Sequence, residues 1–217
     1  MSNWFKIALD EGSVPLTRQQ VEEHLRSRGF DTSKHLWDYD EISGTVSIRL
    51  FSPDGKIIGI HEYRPHLTYK GHSDKPGENK RYFSDIHDSM NKRVRLWGLH
   101  TIDDNKPYLF MAEGVFDASP ITMLGEPAIA TLGSDVTPEQ EQQLKFLGKK
   151  LIGVLDRDAA GNPPQGRKYQ TKIKHVVDRL GGISFVVPEP YKDFGEMYQK
   201  DRNGADAFLK QIISKIS

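Results

Sequence analysis

The chain contains no cysteine. That excludes disulfides and any cysteine-ligated zinc, and it fits a reducing cytoplasm. It has no apolar run long enough to cross a bilayer, and its opening MSNWFKIALDEG lacks the build of a signal peptide. It has no excess of either charge, with 30 Lys and Arg against 30 Asp and Glu. Net charge therefore does not announce a polyanionic partner, although a local basic stripe can coexist with an acidic pocket. It has no internal repeat and no low-complexity tract. What remains is 217 residues with 36% hydrophobic content, enough for one globular domain or two closely packed subdomains.

Residues 15–29, PLTRQQVEEHLRSRG, predict a helix. Thr17 can cap it, Gln20 stands three residues on, Val21 and Leu25 are four apart, and Gly29 stops it. Residues 45–63 predict a β-hairpin, with Val46, Ile48 and Leu50 alternating, SPDG as the turn, and Ile58 and Ile60 alternating again. Residues 64–97 are polar, rich in Lys, Arg and His, and broken by Pro65, Gly71, Pro76 and Gly77. A loop-rich region with short strands is expected there. From residue 106 the pattern changes to apolar runs alternating with helical segments. PYLFMAEG is followed by a short helix over PITMLG, with Ser119 as its expected cap and Pro120 in its first turn. PAIATLG is followed by the capped helix TPEQEQQLKFLG. KKLIGVLDRD is followed by GRKYQTKIKHVVDRLGG, and ISFVVPEP is the fourth run. This predicts an α/β unit with a mostly parallel sheet and helices on both faces. Ligands on such sheets bind beyond the carboxyl ends of the strands.

Acids collect at those ends. Glu113 ends the first run, Asp117 lies one turn further, Asp156 and Asp158 end the third, and Asp193 and Glu196 follow the fourth. If the third strand persists through Asp158, the Asp-x-Asp pair faces one way and its charges repel. A metal ion, an arginine, or water at an exposed turn could relieve this. A lone Asp-x-Asp after a strand is more often a turn or a helix cap than a metal site. Three acidic motifs at the ends of one inferred sheet shift the balance toward a hard, oxygen-seeking cation such as Mg²⁺.

LFMAEGVFDA and VLDRD resemble the two acidic motifs of Toprim domains, the catalytic fold shared by DnaG-type primases, type I and II topoisomerases and some nucleases. AIATLGSDVTPEQEQQL and YKDFGEM resemble the intervening segment and the last acidic motif of bacterial primases. Ahead of them, VEEHLRSRGFD, TVSIRLFSPDGKIIGIHEYRP, KRYFS and NKRVRLWGLH resemble, in order, pieces of the primase polymerase core. The resemblance implies a Rossmann-like Toprim unit over 106–200, preceded by a small basic α+β subdomain over 1–105 and followed by a C-terminal helix over 201–217. It implies a cytoplasmic, DnaG-type, phage- or plasmid-like primase core that makes short RNA primers on single-stranded DNA from NTPs. Asp156 and Asp158 would be ligands of Mg²⁺ or Mn²⁺, Glu113 a ligand or catalytic base, and Asp117 and Asp193 outer ligands, with no zinc. Arg64, Lys80, Arg81, Tyr82, Lys92 and Arg93 would line the template and nucleotide path, joined by Arg95. His61, His66 and His72 are read as surface or template contacts, and Trp97 as a core residue.

Two features depart from the family pattern. A proline pair in AAGNPPQGRK precedes the helix where primases enter it directly, which leaves Gly161 or Gly166 as the helix-proximal glycine. The usual zinc-binding and helicase-binding domains have no counterpart in the sequence. The expectation is a polymerase core alone, read as a small whole protein from Met1 and the clean end rather than as an excised fragment. A replicative helicase or a separate zinc-binding protein would be its partner, with no membrane. The alternatives are a Toprim-type metal-dependent DNA nuclease, which generally lacks the basic segment before residue 106, and a non-catalytic single-strand-binding accessory protein.

Overall fold

The structure is a computed structural model, and it describes residues 16–65, 82–86, 95–133, 136–157 and 173–216. Asp158, Gly161, Gly166, Lys80, Arg81, Lys92, Arg93, His66 and His72 lie outside the described residues, as do the first 15 residues.

Helix α1 spans Arg18–Ser27 and opens with the expected capping box, Thr17 and Gln20 each bonding the other's backbone. Gly29 closes it at φ +74°. Strands β1 (Trp37–Asp40), β2 (Thr45–Phe51), β3 (Ile57–Tyr63) and β4 (Tyr82–Ile86) form an antiparallel sheet in that order. The β2–β3 hairpin turns where SPDG predicts, with Gly55 at φ +80°. A register shift between Leu50 and Phe51 then changes which side of β3 faces inward. His61 and Tyr63 stand opposite Ile48 and Val46 and are buried, while Ile60 is only half-buried. This corrects the reading of His61 as a surface or template contact. It is a core histidine, 5% exposed, with Nδ1 hydrogen-bonded to the Ser84 hydroxyl at 2.8 Å.

The second sheet is parallel. It contains β5 (Tyr108–Ala112), β6 (Ala128–Ala130), β7 (Lys150–Leu155) and β8 (Ile183–Val186), in the order β6-β5-β7-β8. Between and after them come α2 (Val115–Met123), α3 (Pro138–Phe146), α4 (173–179), α5 (Phe194–Lys200) and α6 (Arg202–Ile216). Strand alternation divides the core in two. Phe110, Ala112, Ala128, Ala130, Ile152 and Val154 pack with α1, α2, α5, α6 and the antiparallel sheet. Leu109, Met111, Ile129 and Leu151 pack with Leu144 of α3 and Ile173, Val176 and Val177 of α4. Helices therefore cover both faces, and the two sheets share one of the two cores.

Trp97 belongs to the shared core, as expected. It is fully buried and exchanges two backbone hydrogen bonds with Ala130, extending the parallel sheet by one antiparallel bridge. Gly98 follows at φ +93°, where a Cβ would sit 2.2 Å from the Ala128 carbonyl oxygen. No residue with a side chain fits there. The expected cap at Ser119 is not found. Helix α2 begins five residues earlier, after Gly114, and runs through Pro120. Ser119 instead donates its hydroxyl to the Gly29 carbonyl at 2.8 Å, which ties α2 to the end of α1.

Candidate active site

The acids meet where the strand ends predict. Glu113 leaves β5 directly, and its carbonyl accepts from the amide of Leu132 at 3.0 Å, just beyond β6. Leu132 holds φ +60°, which is strained for a residue with a side chain. Thr131 secures that turn by donating its hydroxyl to Gly133. The buried Gln140 of α3 donates to the Thr131 carbonyl and to the Arg95 carbonyl. The turn beside Glu113 is thus held from three sides.

Asp117 sits on the first turn of α2, where the helix dipole favours a carboxylate. Its Oδ1 accepts from the backbone amide of Gly195 at 3.1 Å. Asp193 caps α5, accepting from Glu196 N at 2.7 Å. The approach of α5 to α2 depends on two residues. Pro120 has no N–H, so the Phe116 carbonyl lacks its i+4 partner. Gly195 lies against that oxygen, and a Cβ on it would be only 2.4 Å away. Strand β7 ends at Leu155, and Asp156 is the first residue past it. The i, i+2 alternation therefore cannot be carried across to Asp158.

Glu113, Asp117, Asp156 and Asp193 are all half-buried. Burial, then Asp117, Glu113 and Asp193, hold the Asp156 carboxyl well above the usual carboxylate range, with Lys192 opposing. Burial, then Asp193, push Asp117 up as well, while the Gly195 amide and Arg28 pull the other way. The four acids therefore act on each other electrostatically. Among the described residues no group of three or more Asp, Glu or His side chains already stands at metal-binding spacing.

Arg28, which the sequence reading passed over, lies beside them. It is the C-cap of α1, and its guanidinium lies 3.8 Å over the Phe116 ring. Its Nη1 donates to the hydroxyls of Tyr63 and Tyr82, each at 3.3 Å. Tyr82 stacks between Tyr63 and His61, with ring centroids 5.3 and 5.8 Å away. Arg64 pairs with Glu62 at 2.8 Å. Of the expected template-path residues, Tyr82, Arg64 and Arg95 are described: Tyr82 lies on β4, Arg64 just past β3, and Arg95 is exposed two residues before Trp97. The sequence signals for Arg28 were its place before a helix-stopping glycine and its membership of VEEHLRSRGFD, a stretch that resembles the opening of the primase core. Gly195 lay inside a quoted motif whose acids alone drew attention.

The sequence relatives are DNA primases. The chain is 28% identical to the DNA primase of Mycoplasma genitalium over 152 residues, covering 65% of this chain and 24% of that protein. It is 30% identical to that of Thermotoga maritima over 110 residues, covering 49% and 18%. The chain thus spans about a quarter of the length of the curated relatives it matches. No protein-family profile matches it. Among solved structures, the zinc-binding and RNA polymerase domains of the Aquifex aeolicus primase match at TM-score 0.66 and 19% identity, over 97% of this chain and 60% of that one. A DnaG primase catalytic domain bound to single-stranded DNA matches at 0.55 and 18%, over 91% and 59%. The fold is that of DnaG-type primase catalytic cores.

Proposed function

We propose that the chain is the catalytic core of a DNA primase, making short RNA primers on a single-stranded DNA template by metal-dependent nucleotidyl transfer. The observation that carries this reading is the gathering of Glu113, Asp117, Asp156 and Asp193 at the carboxyl ends of the parallel strands, within a fold shared with primase cores. The acids fit a divalent cation. They are hard oxygen donors, half-buried, and mutually repelling, and a divalent cation relieves that repulsion. Asp156 and Asp158 would hold it, with Glu113 as ligand or base and Asp117 and Asp193 outside. Bound there, Mg²⁺ or Mn²⁺ would activate the attacking 3′-hydroxyl and offset charge on the leaving pyrophosphate.

The residues of the chain supply the rest. Glu113, fixed through its backbone by the Leu132 turn, would accept the hydroxyl proton if it acts as the base rather than as a ligand. Gly195 orients Asp117 through its amide. Arg64, Lys80, Arg81, Lys92 and Arg93 would grip template or nucleotide phosphates, and the edge of Tyr82 would border the same path. No helix among the described residues is long and apolar enough to cross a membrane. A primer-making role places the protein in the cytoplasm beside a replicative helicase or a separate zinc-binding protein.

The test is incubation with labelled NTPs, Mg²⁺ or Mn²⁺, and single-stranded DNA. New short oligoribonucleotides support the proposal. Degraded template would indicate the nuclease, and bound but unaltered template the accessory protein. The double variant Asp156→Ala with Asp158→Ala should abolish synthesis, and retained synthesis would remove the site assignment.

A further inference from the structure

Arg28 is fixed more firmly than packing requires. Its backbone is pinned where α1 meets α2. A Cβ at Gly29 would lie 2.7 Å from Pro120, and the Gly29 carbonyl takes the Ser119 hydroxyl. Its guanidinium is pinned by two tyrosine hydroxyls and the Phe116 face. Phe116 immediately precedes Asp117, and the Arg28 charge acts on Asp117. Lys192 stands 3.6 Å from Asp193 and acts on Asp156. When ionised, Glu113, Asp117, Asp156 and Asp193 carry four negative charges, and Arg28 and Lys192 return two. Lys192 is an exposed ammonium on a flexible stem, whereas Arg28 is a part-buried planar cation that cannot lose its proton.

Resting on the nucleotidyl-transfer reading, we propose that Arg28 is a built-in counter-charge that limits how negative the acidic site becomes. Through the acids, it trades divalent-cation affinity for acceptance of the anionic nucleotide. A fixed cation beside the acids weakens their hold on a second cation. The same cation lowers the repulsion that a triphosphate meets on approach. The tyrosine pair holds the guanidinium on the Asp117 side, where it offsets charge without entering the site. Its effects on the two ligands are therefore opposite in sign, which a residue of purely structural importance would not produce.

The experiment compares full-length wild type with Arg28→Met, which keeps an unbranched stem over Phe116 and removes the charge, and with Arg28→Lys, which restores it. Calorimetry measures Mg²⁺ binding to the protein alone and ATP binding at saturating Mg²⁺, and primer synthesis gives KM for ATP. In Arg28→Met, Mg²⁺ should bind about three- to tenfold tighter and ATP about tenfold weaker, in line with a unit charge several ångströms away in a partly hydrated site. Arg28→Lys should restore most of both. If Arg28→Met does not fold, the double variant Tyr63→Phe with Tyr82→Phe loosens the guanidinium without removing it, and should shift Mg²⁺ and ATP binding the same two ways by about threefold. Both ligands weakening together, neither moving, or no rescue by lysine would overturn the proposal. Wild type that binds Mg²⁺ but makes no primer would refute the primase reading, while calorimetry would still decide the role of Arg28.

Discussion

Removing an acid that the activity needs should make the ligand-free protein more stable. Asp156 is the sharpest case, since burial and three neighbouring acids all disfavour its charge. A carboxyl whose folded pKa is raised binds its proton more tightly in the folded chain than in the unfolded one. Its penalty is absent below the unfolded value of 3.8 and grows as pH rises toward the folded value. The penalty has a ceiling, because the group takes a proton rather than bear more. At pH 7 that ceiling is about 4 kcal/mol, from roughly three pH units above the unfolded value at about 1.4 kcal/mol each. Asp156 is half-buried, and solvent screening brings the expected cost to about 2 kcal/mol. Asp156→Asn keeps the shape and removes the charge. For a chain of this size, it should raise Tm by about 4–8 °C near neutral pH. The gain should shrink toward zero as pH falls to 4. Differential scanning fluorimetry across pH 4–8 measures this directly. Millimolar Mg²⁺ should raise the wild-type Tm and leave the variant nearly unmoved. A variant less stable than wild type at pH 7, or a gap independent of pH, would refute the account of a charge-crowded site.

Other expectations follow from single contacts. Gly195→Ala places a Cβ 2.4 Å from the Phe116 oxygen, so α5 must retreat by about 1 Å to reach ordinary contact. That breaks the Gly195–Asp117 hydrogen bond, and the half-saturating Mg²⁺ concentration in primer synthesis should rise about tenfold while the far-ultraviolet circular dichroism stays unchanged. Gly98→Ala, with its Cβ 2.2 Å from a backbone oxygen at positive φ, should destabilise by about 3 kcal/mol or more in urea unfolding. His61 and His35 are pulled down to about 4, by burial first. Their folded pKa values lie below the unfolded 6.5, so the stability they lend is full above pH 6.5 and is lost as pH falls toward 4. A His61→Phe variant should lose part of that acid sensitivity in fluorimetry between pH 6.5 and 4.

The sequence made the frame legible because frames are written in local terms. A capping box sets the start of α1, a glycine sets its end, and four apolar runs separated by helical segments can hardly do other than form a parallel sheet. The acids were legible for the same reason, since a carboxylate just past a buried strand marks the ligand-binding rim. The misses all involve partners distant in sequence. Ser-Pro reads as a helix start by local rules, but Ser119 is spent on the Gly29 carbonyl, 90 residues away. Ile58 and Ile60 suggest one inward face for β3. The shift at Leu50/Phe51 gives that face to His61 and Tyr63 instead, and the one local mark of it is Gly59, a glycine inside the strand beside the irregularity. Arg28 looks like any surface arginine at a helix end until the tyrosines of two strands close over it.

These distant contacts converge on one short helix. Within nine residues α2 carries the acid Asp117, the ring that seats Arg28, the hydroxyl that grips the end of α1, and the proline that frees a carbonyl for α5. Each of these would be a weakness in an isolated helix. Pro120 removes a hydrogen bond, and Asp117 is a charge driven into a half-buried place. They are tolerated because α1, α5 and the antiparallel sheet bear on the same helix and join it to the shared core. Asp117 is consequently fixed by elements from both ends of the chain, and Arg28 reaches it from the first helix. A change at the α1–α2 junction, such as Ser119→Ala, should therefore act on divalent-cation affinity as well as on Tm, although the Ser119 hydroxyl bonds the Gly29 carbonyl and not an acid.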